Sequence, residues 1–250
     1  MAEKYLLVID QGTTSSRIIL YNVKFQLYDI VQKELKQYFP KEGWVEHDAI
    51  EIWNDVKNLI KKILKKNQLN SNNIIAIGIA NQRETTVIWD KKNGKPIYKA
   101  IVWQDRRTSE YCLKLKKSKK SKSIQKITGL ELDPYFSATK IKWILDNVGN
   151  TKQNRKSNNL IFGTIDTWLL WKLTEGKSHL TDITNASRTM LFDTKKERWS
   201  NELLKIFNIS KNILPNVVEN SYNFGSTKLF GGSIIIGGMA GDQQAATIGQ

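Results

Sequence analysis

A polar segment near the start of the chain holds a carboxylate, a glycine, four hydroxyls and an arginine within eight residues: Asp10-Gln11-Gly12-Thr13-Thr14-Ser15-Ser16-Arg17. It follows an aliphatic run over residues 5–9, which predicts a buried strand. Backbone N–H groups and hydroxyls in such a turn can surround phosphate oxygens, and Arg17 can balance their charge. Asp10 can hold a hydrated Mg²⁺ against the same phosphates. The segment is not a Walker A loop, and an ordinary polar hairpin explains it equally well when it is considered alone.

Charged residues also follow three other apolar segments. Arg83 and Glu84 join two predicted strands, and they form either a local ion pair or two contacts to a polar ligand. Trp103 precedes Gln104-Asp105-Arg106-Arg107, a pattern that also fits a core tryptophan before a helix. Asp242, between Gly241 and Gln243, follows an isoleucine-rich run, where it can serve as a general base or as a helix N-cap.

Other kinds of site are excluded because the residues that they need are scarce. His47 and His179 lie far apart in the sequence and lack metal-ligand spacing. The one cysteine, Cys112, can form neither an internal disulfide nor a cysteine zinc site. No apolar run approaches the ~20 residues of a membrane-spanning helix. We therefore expect a globular, cytoplasmic protein.

The formal net charge of +15 is compatible with a nucleic-acid partner, but the composition favours another origin. Lysine outnumbers arginine by 32 to 7. Proteins that read phosphates and base edges favour arginine, because its guanidinium is planar and bidentate. Solvated lysines on helix faces are therefore the preferred interpretation, and a basic nucleic-acid-binding module is the alternative from another class.

The elements that must position the candidate site residues follow from the hydrophobic pattern. The spacing predicts an antiparallel start of three strands, then a helix that begins at Asp48 with a capping box to Glu51. The predicted strands are 5–9, 17–23, 25–37, 74–80, 85–89 and 233–236, and strands 74–80 and 85–89 are expected to pair as a hairpin. The predicted helices are 106–117, 138–147 and 164–173. Near the end of the chain, a turn is expected at Gly237-Gly238 and a helix is expected to begin at Gly241. This order predicts an α/β domain, a mixed sheet with flanking helices.

Together, these segments resemble the glycerol kinases of the FGGY carbohydrate-kinase family. The matching motifs run in order along the chain: residues 10–17, 43–48, 81–86, 94–98, 133–137, 182–191 and 241–244. Residues 135–147 are also similar to the signature of the wider family. One such motif is weak evidence, whereas seven in register from Tyr5 to the last residue are specific.

The resemblance implies an actin-like (ribonuclease-H-like) ATPase fold and transfer of the ATP γ-phosphoryl group to glycerol, which gives sn-glycerol 3-phosphate. The residues that it assigns to nucleotide phosphates are Thr13, Thr14, Ser15 and Arg17, with Thr13 also near the product phosphate. Those that it assigns to the glycerol hydroxyls are Arg83, Glu84, Tyr135, Asp242 and Gln243. Asp242 is then the expected base, Trp103 faces the carbon skeleton and Asp10 lies near Mg²⁺. Neither a nucleic acid nor a membrane is expected as a partner, and a family-like homo-oligomer is expected where the second domain is present.

The sequence departs from the family's pattern in its extent. Residues 1–250 correspond to the N-terminal, glycerol- and phosphate-binding domain, and the chain ends where the family's C-terminal, adenosine-binding domain is expected to begin. We therefore expect a truncated chain with little or no turnover of its own, because the nucleotide lacks half its contacts and the two domains cannot close.

A second departure concerns regulation. Some bacterial members of the family bind the inhibitor fructose 1,6-bisphosphate through a Gly-Gly-Thr-Arg segment, where this sequence has Gly231-Gly232-Ser233-Ile234. Without the arginine, we expect that inhibition to be lost. A kinase for a pentulose or another polyol is the alternative within the family, and the set of Arg83, Glu84, Trp103 and Tyr135 favours glycerol.

Overall fold

The computed structural model describes residues 3–149 and 159–250. The strands are β1 (Tyr5–Gln11), β2 (Ser15–Asn22), β3 (Leu27–Glu34), β4 (Glu46–His47), β5 (Ile74–Asn81), β6 (Val87–Asp90), β7 (Ala100–Ile101), β8 (Leu160–Gly163), β9 (Leu180–Asp182), β10 (Phe192–Asp193), β11 (Arg198–Trp199), β12 (Asn216–Val218), β13 (Ser221–Thr227) and β14 (Ile234–Gly241). The α-helices are α1 (Ala49–Lys66), α2 (Ser109–Lys116), α3 (Lys120–Thr128), α4 (Ser137–Asn147), α5 (Ile165–Leu173), α6 (Ile183–Ala186), α7 (Asn201–Phe207) and α8 (Asp242–Gly249). Over these residues, no helix is both long and apolar enough to cross a membrane.

A mixed sheet of six strands forms the centre of the fold, in the order β13-β14-β5-β1-β2-β3. The pairs β1/β2, β2/β3 and β13/β14 are antiparallel, so the predicted antiparallel start is confirmed. The pairs β1/β5 and β5/β14 are parallel. Three neighbouring strands therefore end at the same edge of the sheet.

The predicted hairpin of residues 74–80 with 85–89 is wrong. Both edges of β5 are occupied by the parallel strands β1 and β14, so β6 has no free edge of β5 to pair with. It pairs instead with β8 in a separate antiparallel ribbon. Side chains alternate along β6, so that Val87 and Trp89 join the core beneath the main sheet and Ile88 joins a second core around α3, α4 and α7.

The predicted turn at Gly237-Gly238 is also wrong, because β14 continues through both glycines to Gly241. Pairing with strands on both sides holds this segment extended, and the glycines coincide with an irregularity in register between Ile236 and Gly238. The longer strand carries Gly241 to the level of Asn81, which in turn pairs with Gln11 of β1.

Helix α1 covers the main sheet and has Asp48 as its N-cap, as predicted, but Glu51 does not complete the predicted capping box. The Asp48 side chain accepts hydrogen bonds from the N–H groups of Ile50 and Glu51. The Glu51 carboxylate accepts a hydrogen bond from the Tyr38 hydroxyl at 2.8 Å, which ties the helix to the segment after β3. The apolar face of α1 is buried, while its lysines lie on the solvent side or are only partly covered.

Candidate active site

The polar turn after β1 is held in shape by its own backbone and by one neighbouring side chain. The Gly12 N–H donates to the Ser15 carbonyl at 3.0 Å. Gln82, which follows β5, donates from its backbone N–H to the Gln11 carbonyl at 2.7 Å and from its side-chain amide to the Gly12 carbonyl at 3.0 Å. Thr14 is exposed and Thr13 partly so, and both can therefore reach a ligand above the turn.

Asp10 and Arg17 face each other across the first two strands. The register pairs the two residues directly, and their side chains form an ion pair of 3.3 Å. Burial raises the pKa of Asp10, the charge of Arg17 lowers it, and the charge of Asp242 raises it again. The register of β1, β5 and β14 sets Asp10 level with Ala240, two residues before Asp242, so both carboxylates lie at the edge of the sheet where the phosphate turn lies.

Arg83 is almost fully buried, with a side chain that is 4% exposed, and it points at the start of α8. Its guanidinium donates to Gln243 at 2.6 Å and to Gln244 at 3.2 Å, and its Nε lies 3.4 Å from the Asp242 carboxylate. That Nε makes no hydrogen bond within residues 3–149 and 159–250. A Cβ at position 241 would lie 2.4 Å from the Arg83 side chain, so this close approach requires Gly241.

Glu84 does not pair with its neighbour Arg83 but with Arg188, whose Nε donates to the carboxylate at 2.6 Å. The backbone of Glu84 has a left-handed φ of 61°, and the Ser137 hydroxyl donates to its carbonyl at 2.9 Å. Burial raises the pKa of Glu84, and the Arg188 charge opposes that shift. Of the two sequence interpretations, the local ion pair of Arg83 with Glu84 is therefore wrong.

Trp103 and Tyr135 form an aromatic wall beside the phosphate turn. Their ring centroids lie 5.2 Å apart, and the Tyr135 ring is 5.5 Å from the Arg188 guanidinium. The Trp103 indole N–H donates to the Thr13 hydroxyl at 2.8 Å, so the wall is joined to the turn. Trp103 is partly exposed, which excludes the interpretation of a core tryptophan.

Asp242 is the first residue of α8, and the cap position belongs to Gly241. The interpretation of Asp242 as an N-cap is therefore wrong. Its side chain is 43% exposed, next to the buried guanidinium of Arg83. A carboxylate in this position is free to accept a proton from a hydroxyl group bound at the sheet edge.

A buried polar network beneath the site was not predicted from the sequence. Asn185 exchanges hydrogen bonds with Asn81 at 2.9 and 3.0 Å and donates to Asp182 at 2.6 Å. Thr184 donates its hydroxyl to Asp182 and accepts the Gly241 N–H at 2.8 Å. The ends of β5 and β14 are thus fastened together. These residues lie within the 182–191 motif, so the motif marked the segment without revealing what each residue does.

The donor set at the sheet edge fits a hydrated magnesium ion. No cluster of three or more acidic, histidine or cysteine side chains that could hold a metal occurs in the described ranges. Mg²⁺ does not require one, since it commonly keeps several waters and is bound by one or two carboxylates together with phosphates. Asp10 is the residue that would hold it.

Comparison with known proteins extends this description. Residues 5–249 match the N-terminal domain of the FGGY family of carbohydrate kinases. A glycerol kinase from Staphylococcus haemolyticus is 51% identical over 251 residues, which is 99% of this chain and 50% of the relative. The crystal structure of Plasmodium falciparum glycerol kinase with ADP has a TM-score of 0.93 at 39% identity, and covers 99% of this chain and 50% of that one.

A more distant likeness shows the fold alone. A gluconate kinase from Lactobacillus acidophilus has a TM-score of 0.87 at 24% identity over 99% of this chain and 50% of its own. These structural likenesses confirm the fold that the sequence motifs implied. The chain spans about half the length of the curated relatives that it matches.

Proposed function

This chain belongs to the FGGY family of carbohydrate kinases, and we propose that it binds glycerol and takes part in its ATP-dependent phosphorylation to sn-glycerol 3-phosphate. One observation carries the proposal: Arg83, Glu84, Trp103, Tyr135 and Asp242 converge at a single sheet edge in a chain that is half identical to glycerol kinases. We assign residues 1–250 to one domain, the half that binds the polyol and the phosphates.

The charged side chains suit a small molecule that consists almost entirely of hydroxyl groups. Glycerol has three hydroxyls, and each needs a fixed donor or acceptor once it leaves water. Arg83 and Glu84 supply hydrogen bonds to charged groups, which are stronger than neutral ones. Gln243 and Tyr135 add further polar partners, while Trp103 supplies an apolar face for the carbons. An analogue without one hydroxyl loses a hydrogen bond to a charged group, which gives the site its selectivity.

Phosphoryl transfer requires mainly alignment and neutralised charge. The attacking hydroxyl oxygen forms a bond to the γ-phosphorus of ATP, the bond from that phosphorus to the bridging oxygen breaks, and ADP leaves. Asp242 accepts the proton of the attacking hydroxyl. Thr13, Thr14 and Ser15 donate hydrogen bonds to phosphate oxygens, and Arg17 balances their charge. Asp10 would hold a hydrated Mg²⁺, which would neutralise phosphate charge. Because the reaction consumes ATP, we place it in the cytoplasm.

Isothermal titration of glycerol into the 250-residue chain tests the binding step. We expect saturable binding that weakens at least tenfold in Arg83→Met, because a hydrogen bond to a charged group contributes about 1.5–3 kcal/mol. Arg198→Met, an exposed arginine on β11, is the matched control and should bind like the parent chain. A wild-type chain that takes up no glycerol, or a variant with unchanged affinity, would refute the proposal.

A substrate panel and a coupled ADP assay separate the remaining alternatives. Preference for a pentulose over glycerol would favour another sugar kinase of the same fold. Salt-dependent retardation of DNA or RNA without any binding of glycerol would favour the basic module. Residues 1–250 expressed alone span about half of the relatives' length, so turnover by this segment should be very slow or absent. ADP formation at the rate of a complete kinase would contradict that expectation.

A further inference from the structure

A fully buried lysine lies beneath the segment that carries Tyr135. Lys140, in the first turns of α4, has no exposed surface. Its ammonium group donates to three successive backbone carbonyls, those of Pro134 at 2.5 Å, Tyr135 at 2.6 Å and Phe136 at 3.3 Å. An ammonium group has three donors, and all three are used here. The cost of burying the charge is therefore offset by a complete set of hydrogen bonds.

These hydrogen bonds fix the backbone from which the Tyr135 ring projects. Three consecutive carbonyls point at one cation, an arrangement in which their oxygens would repel each other if the charge were absent. The same end of α4 is joined to the other side of the site, because the Ser137 hydroxyl donates to the Glu84 carbonyl at 2.9 Å. The start of this helix thus links the aromatic wall to the Glu84 carboxylate.

We infer that Lys140 is a positioning residue for polyol binding, whose ammonium group holds the carbonyls of residues 134–136 and so sets the Tyr135 ring against Trp103 and Arg188. The inference rests on the proposed function, since Tyr135 matters for binding only if the site takes a polyol. Lys140 itself lies behind the loop and acts through Tyr135.

The site should then respond to pH through Lys140. Burial lowers the pKa of Lys140 to about 7, and the nearby Asp105, Glu84, Cys112 and Asp133 oppose that shift. Each of the three carboxylates forms an ion pair with an arginine of its own: Asp105 with Arg107, Glu84 with Arg188 and Asp133 with Arg106. The Cys112 thiol stays protonated, because burial raises its pKa to about 11.

Loss of the proton changes the contacts that Lys140 can make. A neutral amine offers two hydrogens and a lone pair to three carbonyl oxygens, so one carbonyl loses its donor and faces the lone pair. Glycerol affinity should therefore fall as the pH rises through about 7. In a chain without the amine, that fall should disappear.

The test measures glycerol affinity one pH unit below and one above that pKa in the parent chain, Lys140→Met and Lys142→Met. We expect Lys140→Met to bind glycerol about tenfold more weakly at the lower pH, the equivalent of one lost hydrogen bond to a charged group, with ADP affinity unchanged. Lys142 lies on the same helix, paired with Asp146 and partly exposed, and its removal should alter neither affinity.

Amide resonances distinguish a failure of this inference from a failure of the proposed function. The N–H groups of residues 135–137 belong to the same peptide units as the three carbonyls, and they should titrate with a midpoint near 7 in the parent chain without any ligand. This titration is measured in the parent chain, so it tests the inference even if Lys140→Met does not fold. The absence of that titration, or equal glycerol affinity in the parent chain and a folded Lys140→Met, would overturn the inference. Titrating amides in a chain that binds no glycerol would refute the proposed function and leave the lysine contacts standing.

Discussion

Replacing Glu84 by glutamine tests whether the charge of this buried carboxylate supports binding. The side chain is 2% exposed and accepts a hydrogen bond from Arg188, which is 26% exposed, at 2.6 Å. The substitution keeps the size and one acceptor oxygen but removes the charge. Ser137 and Thr86 donate to the backbone carbonyl of residue 84, so the loop keeps these two hydrogen bonds.

The expected magnitude follows from the burial of the pair. Removing one partner of a buried ion pair costs about 3–5 kcal/mol. Arg188 is partly exposed, glutamine still accepts a hydrogen bond and burial disfavours the charge of Glu84, so we expect the free energy of unfolding to fall by no more than about 2 kcal/mol. Glycerol loses a hydrogen bond to a charged acceptor as well, which corresponds to an affinity about 10- to 100-fold lower.

Urea unfolding and glycerol titration measure the two effects of Glu84→Gln separately. Glu110→Gln is the control, because that carboxylate pairs with Lys114 on the exposed face of α2 and should contribute little to stability. The affinity of the parent chain should also fall in acid, where Glu84 takes up a proton at a pH above its ordinary pKa, and the variant should lack this fall. Unchanged affinity in Glu84→Gln at neutral pH would refute the assignment of this carboxylate to the polyol.

Three further predictions concern the parts of the fold that support the site. Trp103→Phe keeps the ring beside Tyr135 but removes the hydrogen bond to Thr13, so ADP affinity should fall about two- to tenfold by calorimetry. Gly163→Ala should lower the free energy of unfolding by about 1–3 kcal/mol, because its Cβ would lie 2.6 Å from the Thr167 side chain; Gly78→Ala, with nothing within 4 Å, is the control. Burial and the charge of Asp182 raise the pKa of Asp166, so its contribution to stability is present in acid and is lost as the pH rises through that raised pKa. The melting temperature of Asp166→Asn relative to the parent should therefore increase with pH, and a constant difference would contradict this.

The sequence predicted the elements of the fold better than their pairing. The antiparallel start, helix α1 with its cap at Asp48, and helix α5 are local features, and each is set by residues close together in the chain. The predicted hairpin of residues 74–80 with 85–89 is wrong because both edges of β5 pair with strands that lie far away in the sequence. Two apolar runs with a short polar link look alike whether they pair or separate.

The candidate site was predicted as a set of residues but not as a set of contacts. The resemblance to the family assigned roles to Arg83, Glu84, Tyr135 and Asp242, and the register of three parallel strands explains why most of them meet. It assigned no role to Arg188, which lies within the 182–191 motif, because a lone arginine after a helical turn carries no local signal. Its partner Glu84 lies 104 positions earlier in the chain. Lys140 was equally hidden, since the pattern of α4 does not reveal which polar side chain turns inward.

The charges of the site form pairs in which one member is buried and the other is more exposed. Arg83 is 4% exposed while its neighbour Asp242 is 43% exposed, and Glu84 is 2% exposed while Arg188 is 26% exposed. The buried member is held in place by its surroundings, and the exposed member keeps its charge compensated before a ligand arrives. A bound hydroxyl can therefore displace or join the exposed partner without leaving the buried charge unpaired at any stage. Such an arrangement limits the reorganisation needed on binding, and it leaves Asp242, the more exposed carboxylate, free to take up the proton that phosphoryl transfer releases.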